Sequence, residues 1–248
     1  MYAARLTHGP VALAFTDRHG GISAAPFDSL NLAWAGGDDP DAMKENHRRV
    51  LADFAPGSGL DSLAQLSQVH GNSVAVVGAD GPAHDVQGHL HAVGDALVTA
   101  QPGICLMVRA ADCVPVLLAD REGRVVGAAH CGRPGLAAGV VPATVAVMRD
   151  HGAIGLTAWI GPSVCGRCYE VPQEMQDDVA AAEPASRATT SWGTPALDVA
   201  AGVRAQLARD GAEIVDLSVC TRESPDLFSY RRDGPRSGRQ AGMIRIAS

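Results

Sequence analysis

Residues Arg109–Gly132 read RAADCVPVLLADREGRVVGAAHCG. Two apolar runs, VPVLLAD and RVVGAAH, stand on either side of a charged turn, Arg121-Glu122-Gly123. They are short, rich in valine and bounded by turn residues, which is the pattern of buried strands. A hairpin across that turn sets the two strands side by side, about 5 Å apart. Cys113, behind Asp112, opens the first run, and His130, ahead of Cys131, closes the second. Strands of similar length then bring the Cys113 thiol and the His130 imidazole to the same end of a sheet. Three readings fit that placement. The pair can be a nucleophile and its base, two ligands of one ion, or a buried small hydrophobe beside a satisfied core histidine. Spacing alone favours the packing reading slightly.

Around this hairpin, DALVTA and ICLMVRA are two more strand-like runs, SVAVVG is a short strand after His70, and VALAFTDRHGGIS is a strand running into a glycine-rich turn. DDPDAMKENHRRVLADF predicts a helix, with Asp and Pro at its start and Met43, His47, Val50, Leu51 and Phe54 at helical spacing. Beyond the hairpin, PGLAAGVVPATVAVMRDHG reads as one helix closing at Gly152, LTAWIGPSV as a strand, and AEIVDLSVC as another. PQEMQDDVAAAE and PALDVAAGVRAQLARDG read as helices. Strands clustered in the middle, with helices between strands in the second half, point to an α/β (α+β-like) layered architecture. No repeat or linker interrupts the pattern, so residues 1–248 are expected to form a single domain.

The chain carries a net charge of -7, which argues against general nucleic-acid binding because that needs a basic stripe. The cluster YRRDGPRSGRQ is a local exception and suits a small phosphate-bearing ligand. No apolar run reaches the length of a membrane span, and no leader precedes the first strand, so a cytoplasmic, membrane-free protein is expected. Six cysteines in 248 residues do not make a secreted disulfide framework; reduced thiols are available for metal or catalysis. There is no GxGxxG and no Walker loop.

His70, in SQVHGNSV, offers a third donor for the Cys113–His130 pair. Histidine with cysteine suits Zn²⁺, or copper by raw affinity, and three protein ligands with an open position is the pattern of a catalytic zinc. An ion so held can bring the pKa of water to about 7. Asp112 can orient a ligand, act as a base, or simply cap a strand end. Cys165-Gly-Arg-Cys168 is a C-x-x-C without a second pair, read as two ordinary thiols. His84, His89 and His91 sit in a polar loop and read as solvated. Arg231, Arg232, Arg236 and Arg239 either grip phosphate or form a solvated basic turn.

Taken in order, TDRHGGIS, PFDSLNL, GDDPDAMKEN, QVHG, GDALVT, ADCVPVLL, AAHCG, IGPSV, YEV, CT, FSYRRDG and GRQAG resemble the laccase-domain family of multicopper-polyphenol-oxidase-like proteins. Bacterial members of that family are also described as purine nucleoside phosphorylases. The resemblance runs through nearly the whole chain. It implies a layered α/β/β/α fold with mixed sheets, related to toxin domains that hydrolyse through a cysteine and a histidine. It implies that His70, Cys113 and His130 hold zinc. It also implies phosphorolysis of adenosine, inosine, guanosine and methylthioadenosine and hydrolytic deamination of adenosine, with purine nucleosides and phosphate as partners. The chain is then a monomer or small homo-oligomer.

On that reading Cys113, His130 and Asp112 are the catalytic candidates. Arg18, Arg231 and Arg232 are candidate phosphate anchors, and Asn31 and Gln68 candidates for orienting sugar or base. Three rivals stand beside it: a copper-dependent polyphenol oxidase, a metal-free cysteine hydrolase using Cys113 and His130, and a binding protein that has lost catalysis. Two departures from the family pattern fall near the expected pocket. Gly132-Arg133-Pro134-Gly135 stands where the family has Gly-Trp-Arg-Gly, and His47 stands after Asn46 where the family has Arg.

Overall fold

The structure, a computed structural model, describes residues 1–34, 36–80 and 92–247. His84, His89 and His91 lie outside these described residues. In chain order the strands are β1 (Tyr2–His8), β2 (Val11–Thr16), β3 (Leu63–Ala64), β4 (Val74–Val76), β5 (Ala96–Thr99), β6 (Cys105–Ala110) and β7 (Val114–Asp120). There follow β8 (Val126–Cys131), β9 (Leu156–Ile160), β10 (Arg187–Thr189), β11 (Pro195–Leu197), β12 (Glu213–Asp216) and β13 (Gln240–Ile246). The helices are α1 (Pro40–Phe54), α2 (Arg133–Ala138), α3 (Val140–Asp150), α4 (Gln173–Ala182), α5 (Val199–Arg209) and α6 (Tyr230–Asp233).

Two mixed sheets form the frame, in the orders β1-β2-β13-β6-β3 and β12-β9-β7-β8-β5-β4, beside a small β10-β11 ribbon. The quoted hairpin is the centre of the second sheet. β7 pairs antiparallel with β8 from Val114↔Cys131 to Ala119↔Val126. All seven residues of β7 are buried, because the strand is covered on both faces. Val114, Val116 and Leu118 point into a core shared with α2 to α5, where Leu136, Val140, Val145, Val179 and Val203 meet them. Leu117 and Ala119, on the other face, meet Leu13, Phe15, Leu106 and Ile244 of the first sheet. The far side of that first sheet, with Ala14, Met107 and Met243, packs on Val50, Leu51 and Phe54 of α1. The layers therefore run α/β/β/α, as expected, each sealed by side chains worth roughly 1.5–3 kcal/mol apiece when fully buried. Among the described residues no helix is long and apolar enough to cross a membrane.

Several boundaries differ from the sequence patterns, each for a local reason. The expected single helix after Cys131 is two: Gly139 adopts φ +77°, ending α2, and its carbonyl starts α3 by accepting from Ala143 N–H. A left-handed residue breaks the helical run, and glycine adopts it without strain. In PALDVAAGVRAQLARDG the first three residues are strand β11, paired with β10; Asp198 then caps α5 by accepting from Ala201 N–H at 2.7 Å. The strands expected over LTAWIGPSV and AEIVDLSVC stop at Ile160 and Asp216. β13 escapes the patterns because Gln240, Gly242 and Arg245 interrupt its apolar residues, yet it lies between β2 and β6.

α1 starts as its sequence requires, with Asp39 accepting from Asp41 N–H at 2.9 Å and Pro40 in the first turn. Its His47 is fully buried, gives Nδ1 to the Met43 carbonyl at 2.8 Å and stacks on Trp34 at 4.4 Å. Burial holds the His47 imidazole down at about 4, against an ordinary value of 6.5. The unfolded chain therefore takes up a proton near pH 6.5 and the folded chain only near 4. Stability is complete above pH 6.5 and drains away as pH falls through 4, by about 3 kcal/mol from this residue. His47→Leu is expected to flatten that slope; urea midpoints measured from pH 7 to 4 on both chains check it, and parallel curves would count against it.

Candidate metal centre

The β7–β8 register sets Cys113 and His130 at one end of the second sheet. Cys113 immediately precedes Val114, and His130 pairs with Pro115. His70 arrives from the loop before β4. Its Nδ1 or Nε2, the Cys113 Sγ and a His130 ring nitrogen all lie within 4.8 Å of one another. The two imidazoles meet edge to face, with centroids 4.9 Å apart. His70 (φ 62°) and Asp112 (φ 90°) hold left-handed backbone, which non-glycine residues adopt rarely and at strained functional turns.

The residue that organises this centre is Asp95, at the head of β5 and fully buried. Its Oδ1 accepts from His70 N–H at 2.9 Å and lies 2.9 Å from His130 Nδ1. Its Oδ2 accepts from Gly71 N–H at 2.7 Å and Val69 N–H at 3.2 Å. One carboxylate thus fixes the His70 loop and the His130 ring together. Burial works against its charge, but hydrogen bonds from His130 and the Gly71 and His70 amides outweigh that and hold the carboxyl below its ordinary range. With Nδ1 engaged, His130 has Nε2 left for an ion, the carboxylate–histidine–metal arrangement. Burial lowers the His130 imidazole's affinity for a proton, which keeps it a neutral donor. Burial and the neighbouring Asp112 charge push the Cys113 thiol up to about 12. Such a thiol is a poor nucleophile by itself; a metal ion would take it as thiolate.

Gly132 keeps the centre open. A Cβ there would sit 2.5 Å from His70 Cδ2 and 3.1 Å from Cys113 Sγ. Gly132→Ala is therefore expected to displace His70 and weaken metal binding at least tenfold, read by competition against a chromogenic chelator. Unchanged affinity would show that His70 has room to spare.

A cavity of about 840 Å³ opens over these residues. It is lined by all three donors, by Arg109, Arg133, Arg231 and Arg239, and by Trp34, Tyr169 and Tyr230. Arg109 ties one nitrogen to the Leu66 carbonyl at 2.6 Å, and its buried Nε has no partner. Arg239 bonds the Ser237 and Gly238 carbonyls at 2.7 and 2.9 Å. Among the described residues neither forms an ion pair with a carboxylate. Burial, with Arg239 nearby, lowers Arg109 to about 10, still cationic at neutral pH. Burial lowers Arg239 likewise.

Asp112 lines the cavity with both oxygens engaged: Oδ1 accepts from Thr221 Oγ1 and Oδ2 from Arg231 N–H, each at 2.6 Å. Arg231 lays its guanidinium over Tyr169 at 4.8 Å. Gln68 also lines the cavity, but its amide is spent on both main-chain groups of Arg109. Arg18, Asn31 and Arg232 are not among the lining residues. Arg18 bonds the Asp28 carbonyl and lies over Phe228. Asn31 accepts from Arg239 N–H at 2.9 Å and so positions a residue that does line the cavity. Arg232 holds the carbonyls of Thr221, Ser224 and Leu227.

Of the departures, Arg133 and Pro134 both line the cavity at the start of α2, while His47 backs Trp34 from the core. The sequence patterns do not single out Asp95 or Arg109, which the fold brings to this centre. The available signal was a charge at the edge of otherwise apolar strands, DALVT and CLMVRA, where a charge is rarely buried without a purpose.

The family model described as multi-copper polyphenol oxidoreductase laccase matches residues 12–247. A purine nucleoside phosphorylase of Streptomyces coelicolor is 52% identical over 250 residues, covering 98% of this chain and 99% of the relative. The purine nucleoside phosphorylase YfiH of Escherichia coli is 37% identical over 238 residues, covering 94% and 93%. The crystal structure of YlmD from Geobacillus stearothermophilus superposes with a TM-score of 0.87 at 31% identity, covering 97% of this chain and 93% of that one. The hairpin, the layers and the full-length match agree, and the chain belongs to the multi-copper polyphenol oxidoreductase laccase family.

Proposed function

We propose that this chain is a zinc-dependent purine nucleoside enzyme. Its proposed reaction is phosphorolysis of adenosine, inosine, guanosine and methylthioadenosine, with hydrolytic deamination of adenosine as a second activity. The observation that carries this reading is the grouping of Arg109, Arg133, Arg231 and Arg239 with the His70–Cys113–His130 triad around one cavity. Among the described residues one acid lines it, Asp112, against four guanidinium groups, and both its oxygens accept hydrogen bonds. The cavity is therefore short of an anion, and phosphate suits the guanidinium fork. The names of the relatives support the nucleoside half of the reading.

In phosphorolysis a phosphate oxygen bonds to C1′ of the sugar while the C1′–N9 bond breaks and the purine leaves with the electron pair. Arg109 and Arg239 would hold the phosphate; each is anchored by backbone carbonyls and keeps N–H groups free, which supports that role. Three of the chain's six Trp and Tyr residues line this cavity, Trp34, Tyr169 and Tyr230, and offer faces to a purine. His70, Cys113 and His130 would hold the zinc: two imidazoles and a thiol converge with an open side toward the cavity, a donor set that fits. When bound, the ion supplies Lewis acidity toward water or a polar atom of the substrate. Asp95 keeps the His130 ring oriented throughout.

Cys113, His130 and Asp95 also have the order of a metal-free hydrolytic triad. The raised thiol and the third donor, His70, favour the metal reading over it. Copper oxidase chemistry of the multicopper kind calls for more clustered histidines than this triad supplies.

The test is product analysis by chromatography after incubation with each nucleoside, with and without phosphate, beside elemental analysis. Free base and sugar phosphate are expected only with phosphate, and inosine from adenosine without it. A chain that yields neither, or that binds no zinc while a thiol reagent blocks Cys113 stoichiometrically, sinks the proposal.

A further inference from the structure

Away from the cavity, Cys165, Cys168, Cys220 and Glu223 converge, and one donor atom of each lies within 4.8 Å of all the others. The sequence shows only the Cys165-x-x-Cys168 pair; the fold supplies the other two donors. The loop after β9 and the loop after β12 are zipped as a parallel bridge, with Ser163 N–H on the Val219 carbonyl and Thr221 N–H on the Ser163 carbonyl, both at 3.1 Å. Cys165 then starts a tight turn that accepts from Cys168 and Tyr169 N–H, at 2.9 and 3.0 Å. Cys220 accepts from Ser224 N–H at 3.0 Å, which curls Glu223 back toward the thiols. Cys168 Sγ donates to Glu223 Oε1 at 3.4 Å.

This is more than a crowd of thiols. The Arg167 guanidinium reaches the same cluster, 3.8 Å from Glu223 Oε2. A tetrahedral zinc with Zn–S near 2.3 Å sets its sulfurs about 3.8 Å apart, and the observed donor separations of at most 4.8 Å exceed that by no more than about 1 Å. Three thiolates and a carboxylate around a divalent cation leave a formal charge of about -2, which the neighbouring Arg167 offsets in part. A cleft of about 220 Å³ bordered by Cys165, Cys220 and Glu223 gives an entry path.

We propose that Cys165, Cys168, Cys220 and Glu223 form a second metal site that takes Zn²⁺ as a structural ion, separate from the His70–Cys113–His130 centre. The ion fastens two segments that make one wall of the cavity. Next to Cys168, Tyr169 lies under Arg231; next to Cys220, Thr221 donates to Asp112. The site does not depend on which reaction the cavity performs.

The test uses the full chain with His70→Ala and His130→Ala, reduced with a phosphine, stripped with a chelator and titrated with Co²⁺. Thiolate-to-cobalt absorption in the near ultraviolet and tetrahedral bands in the visible are expected, saturating at one equivalent and abolished by Zn²⁺. In that background Cys220→Ser is expected to weaken Co²⁺ binding at least tenfold. Glu223→Gln, at an exposed position, keeps the thiolate band with several-fold weaker binding. Elemental analysis of chains without the histidine substitutions adds an arm that avoids the core: two zinc equivalents are expected, falling to one in Cys220→Ser. Three outcomes overturn the site: no thiolate band in the double-histidine variant, an undiminished band in both Cys165→Ser and Cys220→Ser, or a disulfide among these cysteines whose reduction gives no Co²⁺ binding.

Discussion

On the proposed zinc reading, His130→Ala and Cys113→Ser are each expected to abolish metal binding in the cavity and to lower nucleoside turnover on the order of a thousandfold. A three-donor site reduced to two loses the tetrahedral frame, and the Lewis acidity lost with the ion is worth several kcal/mol, at 1.36 kcal/mol per tenfold. The fold is expected to survive. His130→Ala leaves the Asp95 carboxylate with one acceptor site empty, a loss of about 1–3 kcal/mol, while its bonds to Val69, His70 and Gly71 remain. Asp95→Asn acts at one remove. It keeps the three donors but unsettles the His130 ring, so metal affinity is expected to fall about 10–100-fold. Cys131→Ala is the control. Cys131 belongs to the helix-side core and is not one of the three donors, so metal binding is expected to persist with a loss of packing. Elemental analysis, turnover and thermal unfolding on the same preparations check the series. Full zinc occupancy in both His130→Ala and Cys113→Ser would overturn the ligand assignment.

Cys113 and His130 were legible in the sequence because a hairpin is a local device. Two apolar runs and a short turn fix register, and register fixes which residues share a sheet end. The layered architecture was legible for a similar reason: the unbroken burial of β7 requires cover on both faces. Asp95 was not, since its role depends on a loop and a strand that meet only in three dimensions, and spacing carries no trace of that. Cys165 and Cys168 show the same limit. With Cys220 and Glu223 far along the chain, the pair reads as two ordinary thiols until the β9 and β12 loops are seen zipped together. Gly139 illustrates a different one. Its left-handed turn splits a helix whose apolar periodicity runs straight through it.

The basic turn YRRDGPRSGRQ divides once folded. Arg232 faces the main chain, whereas Arg231 and Arg239 reach the cavity and meet Arg109 and Arg133 there. Arg109→Met and Arg239→Met are each expected to lower kcat/KM for phosphate about tenfold to a hundredfold. That is the loss of one charge-assisted anion contact of about 1.5–3 kcal/mol, at 1.36 kcal/mol per tenfold. Deamination of adenosine needs no phosphate and is expected to stay within about twofold. A purely structural arginine would not separate the two activities, so equal loss of both would refute the phosphate role. Arg109→Lys is expected to recover little, because an ammonium lacks the planar fork and cannot reach both an anion and the Leu66 carbonyl. Removing the Arg109 charge also relieves its repulsion with Arg239. Stability without phosphate is therefore expected to fall by no more than about 1 kcal/mol, since a buried charge replaced by an apolar side chain of similar size is often neutral. Thermal unfolding with and without phosphate gives the companion measurement: phosphate is expected to stabilise the unaltered chain by mass action, and that increment is expected to shrink in Arg109→Met.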